Sequence, residues 1–213
     1  MYIKWIICRV KKNERQQFSE AQEKWERTSN ADGFIAQTGG WDLQNKNEAC
    51  IISFWKNKKL YEIFMRDLHD QITMDNKQAK TYNEIFVEYF AGIFNMDGES
   101  STLKEAVQKG YLLRIADCIV RPGKVKHFEK MQSEIWLPAM RESKRMLGGT
   151  FSKNENNNFR YLVSTLWDTI RNHTNYSKYK LPLLRDQANV TTDISEISGR
   201  KISIVNAWKI IKS

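Results

Sequence analysis

Apolar residues along this chain switch between two spacings. Short runs are apolar almost throughout or at every second position, and longer stretches are apolar at every third or fourth. Residues 2–10, YIKWIICRV, have the β-branched and aromatic content of a buried strand. Residues 13–28 change to helical spacing through Phe18, Ala21, Gln22 and Trp25. GFIAQTGGW (33–41) and EACIISFW (48–55) predict two strands joined by the polar turn DLQNKN. A second helix is predicted from about Asn57 to Thr73, with the Asn57 side chain accepting from free backbone N–H groups. NEIFVEYFAGIF (83–94) supplies a closing strand.

The order then recurs. Displaced by about 110 positions, LRIADCIV (113–120) lies over IKWIICRV (3–10), matching Cys118 with Cys8, Val120 with Val10 and the basic Arg114 with Lys4. FEKMQSEIW (128–136) follows FSEAQEKW (18–25) with one residue inserted, and FRYLVSTLWDT (159–169) follows EACIISFWKN (48–57). The second copy predicts a strand at 111–120, a helix at 123–142 opened by RPGK, and a hairpin turning at NENNN (154–158). A helix near 168–186 and a last strand in ISIVNAWKII (202–211) complete it. Between the copies Thr102-x-x-Glu105 has the spacing of a capping box, for a short helix ended by Gly110.

Each copy therefore reads β-α-β-β-α-β, an α+β unit of the ferredoxin-like plan, with both helices on one sheet face. The other face is apolar and must be covered, which two copies in one chain achieve by packing sheet on sheet. The expected fold is a tandem pair of ferredoxin-like repeats forming an intramolecular dimeric α+β barrel. Its expected organisation is a first repeat at 1–94, a linker with a short helix at 95–110, and a second repeat at 111–213.

Composition narrows the function classes. Hydrophobic residues make up 41% of the 213 and aromatics 12%, ample for a packed core. No apolar run reaches the ~18 residues a spanning helix needs, and the amino terminus reads as a strand rather than a signal peptide. Neither a membrane nor a secretory route is therefore expected. Cys8, Cys50 and Cys118 are odd in number, widely spaced and set in apolar runs, which fits buried thiols in a reducing cytoplasm and no metal. The net charge of +9 is concentrated after residue 93, where 20 Lys and Arg face 12 Asp and Glu. A basic half can attract nucleic acid, but no nucleic-acid-binding motif or phosphate loop accompanies it, so a solvated lysine-rich surface is the simpler reading.

IKWIICRV, FSEAQEKW, GGWDL, ISFW and FMRDLHDQI in the first half resemble the YdbC family of uncharacterised bacterial proteins, as do LRIADCIVRPGKVKHF, IWLPAM, MLGGTFS and YLVSTLW in the second. The resemblance covers nearly the whole chain. It implies the dimeric α+β barrel group, which includes antibiotic-biosynthesis-type monooxygenases and heme-degrading enzymes. The heme-degrading members use a strand Asn, a helix Trp and a His ten residues after it. Those places fall here near Ile6 or Ile7, near Phe64 and near Met74, and none matches. No cofactor is expected. The resemblance implies chemistry that rests on the substrate, as in cofactor-free relatives that hold an oxidisable phenol or quinol in a dry pocket.

His69 heads the candidate residues. It falls at the border of an apolar stripe through Tyr61, Phe64, Met65, Leu68 and Ile72, at the predicted rim of a helix–sheet cleft. A near-neutral imidazole there suits a proton shuttle or polar anchor; the alternative is a partly exposed histidine with a structural hydrogen bond. Asp117 interrupts an apolar strand, sharing a face with Leu113, Ile115 and Ile119, and is either ligand-facing or bonded to a neighbouring Arg, Tyr or Trp. Trp5, Trp41 and Met65 are candidate binding residues of the first cleft. His127 and His173, among Lys, Arg and Asn, are expected on the surface, and Tyr176 either lines the second cleft or packs in the core.

The leading expectation is a protein binding a hydrophobic or aromatic small molecule, or a cofactor-independent monooxygenase-like enzyme acting on one. A non-catalytic interaction or stress-related module and, less favoured, a basic nucleic-acid-binding protein are the alternatives. Further oligomerisation beyond the internal pseudo-dimer stays open.

Overall fold

The computed structural model describes residues 1–212. By its contacts the chain divides into two compact units. Unit 1 is Met1–Tyr89 with the segment from Ile202 onward, and unit 2 is Phe90–Lys201.

In unit 1, β1 (Tyr2–Val10) pairs antiparallel with β3 (Glu48–Trp55), placing Tyr2 opposite Trp55 and Arg9 opposite Glu48. On its other side β3 pairs with β2 (Phe34–Asp42), and β4 (Tyr82–Asp97) flanks β1. The resulting order β4-β1-β3-β2 is that of a ferredoxin-like sheet. The first helix is α1 (Arg15–Glu23), which tightens to a 3-10 segment at Lys24–Asn30 and buries Phe18, Ala21 and Gln22. The second begins as α2 (Lys58–Phe64), where Asn57 Oδ1 accepts from the Leu60 N–H at 3.0 Å, as its side chain predicts. It widens into a π-helical turn at Met65–His69 and continues as α3 (Asp70–Asn76), ended by the left-handed Lys77.

Unit 2 repeats the plan. β5 (Leu112–Val120) pairs with β7 (Arg160–Trp167), β7 with β6 (Met146–Asn154), and β8 (Ile194–Ile204) flanks β5. Burial along β5 matches that along β1 at every position except Ile119, half-buried where Arg9 is exposed. The inserted residue of FEKMQSEIW lies in a second π-helical turn, Gln132–Trp136, between α5 (Val125–Met131) and α6 (Leu137–Arg141). Before β5 comes α4 (Leu103–Lys109): Thr102 Oγ1 accepts from the Glu105 N–H at 3.1 Å, and Glu105 accepts from the Ser101 N–H at 2.7 Å.

Two elements differ from the sequence pattern. The helix expected at 168–186 divides into α7 (Ile170–Tyr179) and α8 (Leu181–Gln187), because Pro182 has no N–H to continue the ladder. A four-residue helix, α9 (Val190–Asp193), follows. The strand expected at 202–211 instead begins at Ile194 as β8, gives way to a 3-10 turn at Asn206–Trp208, and resumes as the two-residue β9 (Ile210–Ile211). The early part of β8 escapes a hydrophobic pattern because Ser195 through Gly199 are exposed. Trp208 is fully buried in unit 1, packing on Phe18 at 5.6 Å and Trp41 at 5.4 Å between ring centroids, while its indole N–H donates to Ser19 Oγ at 2.9 Å.

The fold class is the expected one: α+β, a tandem pair of ferredoxin-like repeats of the dimeric α+β barrel class.

Candidate functional site

Each unit contains a cavity between its sheet and its helices, and the two occupy matched places in the repeat. In unit 1 it measures about 280 Å³. Alternation along β1 points Lys4, Ile6 and Cys8 into it, while the 3-10 segment after α1, α2 and the π-helical turn contribute Trp25, Tyr61, Phe64, Met65 and His69. Its floor includes Trp55, whose ring meets Phe64 at 4.8 Å and whose N–H donates to Ser53 Oγ at 3.2 Å.

Polar groups converge on this aromatic chamber. The Trp25 N–H donates to Gln78 Oε1 at 2.8 Å, and Gln78 Nε2 donates to Gln22 Oε1 at 2.9 Å. The Tyr61 and Tyr89 hydroxyls meet at 3.1 Å. Three further lining side chains, Thr28, Gln37 and Asn76, each keep a buried polar atom without a hydrogen-bond partner (Oγ1, Nε2 and Nδ2 respectively). Such atoms are costly to bury unless water or a bound polar group pairs with them. Lys4 is the decisive member. Its ammonium stands 5.6 Å from the Tyr61 ring centroid, and no carboxylate among the described residues lines the cavity. Burial lowers its pKa to about 8, the nearby Cys8 offsetting part of that effect. Burial also pushes the Cys8 thiol up to about 12, Lys4 offsetting part. The Tyr61 phenol is raised by burial, then by its hydrogen bond to Tyr89, so it is neutral at pH 7.

His69 is four-fifths covered, its ring 5.4 Å from that of Trp25 and 5.9 Å from that of Phe64. Its Nδ1–H donates to Asp70 Oδ1 at 3.0 Å, which leaves Nε2 as the group able to exchange a proton. Met65 and His69 thus share the cavity. Trp5 does not join them: it is buried on the opposite face of β1 from Lys4. Trp41 packs with Phe18 and Trp208 under the Arg15 guanidinium, 3.8 Å from its ring centroid. Asp117 lies on the face of β5 turned from the unit 2 cavity, held bidentately by Arg160 at 2.9 and 2.7 Å. Lys4 and Arg114 were visible in the sequence only as matched basic residues on two apolar strands.

The unit 2 cavity, about 140 Å³, repeats the frame with substituted chemistry. Arg114 stands for Lys4, Cys118 for Cys8, Gln132 for Gln22, His173 for Tyr61 and Tyr176 for Phe64. His173 corrects the sequence expectation of a surface residue: it is 3% exposed and meets Trp167 edge-on at 5.3 Å. Burial lowers its pKa to about 4, with Arg114 and Lys201 adding to the effect, so it is uncharged at neutral pH. His127 is half-exposed and bonded to the buried Asp193 at 2.6 Å. No group of three or more His, Cys, Asp or Glu able to hold a metal ion occurs among the described residues, and no helix is long and apolar enough to cross a membrane.

Fold and cavities define a protein of tandem ferredoxin-like repeats with a ligand-sized cavity in each unit. Over its full length the structure is similar to that of a "putative monooxygenase" from Lactobacillus acidophilus NCFM (TM-score 0.77, 11% identity, 100% of this chain and 96% of that one). It is equally similar to a "putative monooxygenase" from Fusobacterium nucleatum (TM-score 0.77, 12% identity, 95% and 91%). Residues 2–90 match a domain of unknown function (DUF4937). The uncharacterized protein YdbC of Bacillus subtilis (strain 168) is 41% identical over 92 residues, 42% of this chain and 77% of that protein. This chain belongs to the YdbC family.

Proposed function

We propose that the unit 1 cavity binds a hydroxylated aromatic molecule as its phenolate or enolate, and that the protein oxidises it with dioxygen and no cofactor. The observation that carries this reading is Lys4, a half-buried ammonium with no acidic residue beside it in an aromatic-walled chamber. A phenolate supplies the missing negative charge, its ring packs between Trp25 and Phe64, and its further oxygens satisfy Thr28, Gln37 or Asn76. Lys4 lowers the energy of the electron-rich anion, the form that reacts with O2. His69 Nε2 relays the proton, its ring held by Asp70. The balanced reaction takes a phenol and O2 to a quinone and water, with one oxygen atom in each product. Titration with 2-naphthol should quench tryptophan fluorescence in the wild type, weaken about tenfold or more in Lys4→Met, and be accompanied by oxygen uptake with oxidisable phenols. Equal quenching in both proteins would refute the role of Lys4; binding without oxygen uptake would leave a binder rather than an enzyme.

A further inference from the structure

The unit 2 cavity differs from its counterpart in volume and in the polar side chains that line it. At about 140 Å³ it is half the volume of the unit 1 cavity, close to the ~150 Å³ that suffices for one benzene ring in an engineered protein cavity. Its walls are mainly apolar, with Met96, Phe128, Trp136, Val163 and Ile194 among them. Two cations line it, Arg114 and Arg185, and no Asp or Glu among the described residues does.

Arg114 has too few partners for a guanidinium in such a place. It has five N–H donors, and among the described residues its one hydrogen bond runs from Nη1 to the Arg200 carbonyl at a long 3.4 Å. Burial depresses its pKa, Cys118 and Tyr176 offsetting part of that effect, which places the phenol of Tyr176 within its field. That phenol is itself anomalous. Tyr176 is 7% exposed and its hydroxyl has no hydrogen-bond partner. Where unit 1 has Phe64, a residue with no polar atom to satisfy, unit 2 has a hydroxyl that is unbonded among the described residues. His173, neutral beside them, adds no competing charge.

We infer that the unit 2 cavity is a second ligand site, specific for a small monocarboxylate bearing a single aromatic ring, with the carboxylate on Arg114 and the Tyr176 hydroxyl and the ring in the apolar remainder. The planar guanidinium fork matches a carboxylate, and the volume excludes a second ring. The inference is independent of the phenol-oxidising reading, since it uses other residues of another unit.

The test uses benzoate, benzamide and toluene with the intact chain, read by thermal shift and by ligand-observed NMR. Benzoate should bind at up to about 10 mM and raise the melting temperature, with benzamide and toluene at least about tenfold weaker. Binding should survive in Lys4→Met, fall about tenfold or more in Arg114→Gln, and fall several-fold in Tyr176→Phe, which removes one oxygen atom only. Toluene binding as well as benzoate, or benzoate binding lost in Lys4→Met and retained in Tyr176→Phe, would overturn the inference. No benzoate binding by the wild type would overturn it as well. The wild-type ligand comparison and Tyr176→Phe decide the matter even if Arg114→Gln does not fold.

Discussion

Lys4 shows how a residue can work against the fold that holds it. A partly buried cation with an aromatic ring but no carboxylate beside it carries a desolvation cost, which an apolar side chain of similar size removes. Lys4→Met should therefore raise the urea midpoint at pH 7 while weakening phenolate binding about tenfold or more; a lower midpoint would show that the ammonium has a stabilising partner. The pH dependence follows from the lowered pKa of about 8 against 10.5 unfolded. Below pH 8 Lys4 is protonated in both states and its full cost is present. Between about 8 and 10.5 the unfolded chain binds more protons than the folded one, so wild type gains on Lys4→Met as pH rises. Cys8, Tyr61 and Tyr82 line the same cavity and are each raised by burial, so the difference between the two proteins is the quantity to follow. His173 acts at the acid end. With its pKa near 4 rather than 6.5, the stability it leaves intact above pH 6.5 is lost progressively as pH falls toward 4. His173→Phe should flatten that part of the profile, which urea unfolding at pH 7 and pH 4.5 would read. Neither role was legible from residue type. The polar neighbours of His173 suggest a surface, but it takes the place of Tyr61 in the other repeat and fills an aromatic slot.

At the scale of elements the repeat made most of the fold legible. β3 and the cap at Asn57 follow directly from apolar runs and cap chemistry, and the single inserted residue near Gln132 emerges as a π-helical turn. The glycine pairs in GGW and GGT carry the same information. A Cβ on Gly40 would collide with the Ser203 carbonyl, and one on Gly149 with that of Ser164, because neighbouring strands pass closely at both places. Gly149→Ala should cost about 1–3 kcal/mol or more by forcing β6 from β7, measurable as a fall in melting temperature. An unchanged melting temperature would mean the strands relax freely. The cavities were harder to read, because their lining comes from several elements at once: Lys4, Trp25, Tyr61 and Asn76 are far apart in sequence and meet only through the packing of helices on a sheet. The start of β8 was hidden for the opposite reason, since its residues are exposed and bear no hydrophobic pattern.

At the scale of the whole chain, the C-terminal segment belongs with the N-terminal unit. Trp208 closes the cluster of Phe18 and Trp41, and Ile210 pairs with Gln37 on β2. Trp208→Ala should cost about 3–5 kcal/mol, with hydrogen-exchange protection lost around Phe18 while residues 112–167 keep theirs; equal loss in both regions would contradict the division into units. Unit 2, by contrast, is one unbroken stretch of sequence. During synthesis this inverts the usual order, in which the first domain made is the first to fold. The ribosome releases everything unit 2 needs while unit 1 still lacks its last tryptophan. The first-made half should therefore wait for residues 202–211 before its core closes, and chaperones that meet nascent chains should engage it rather than the half that follows.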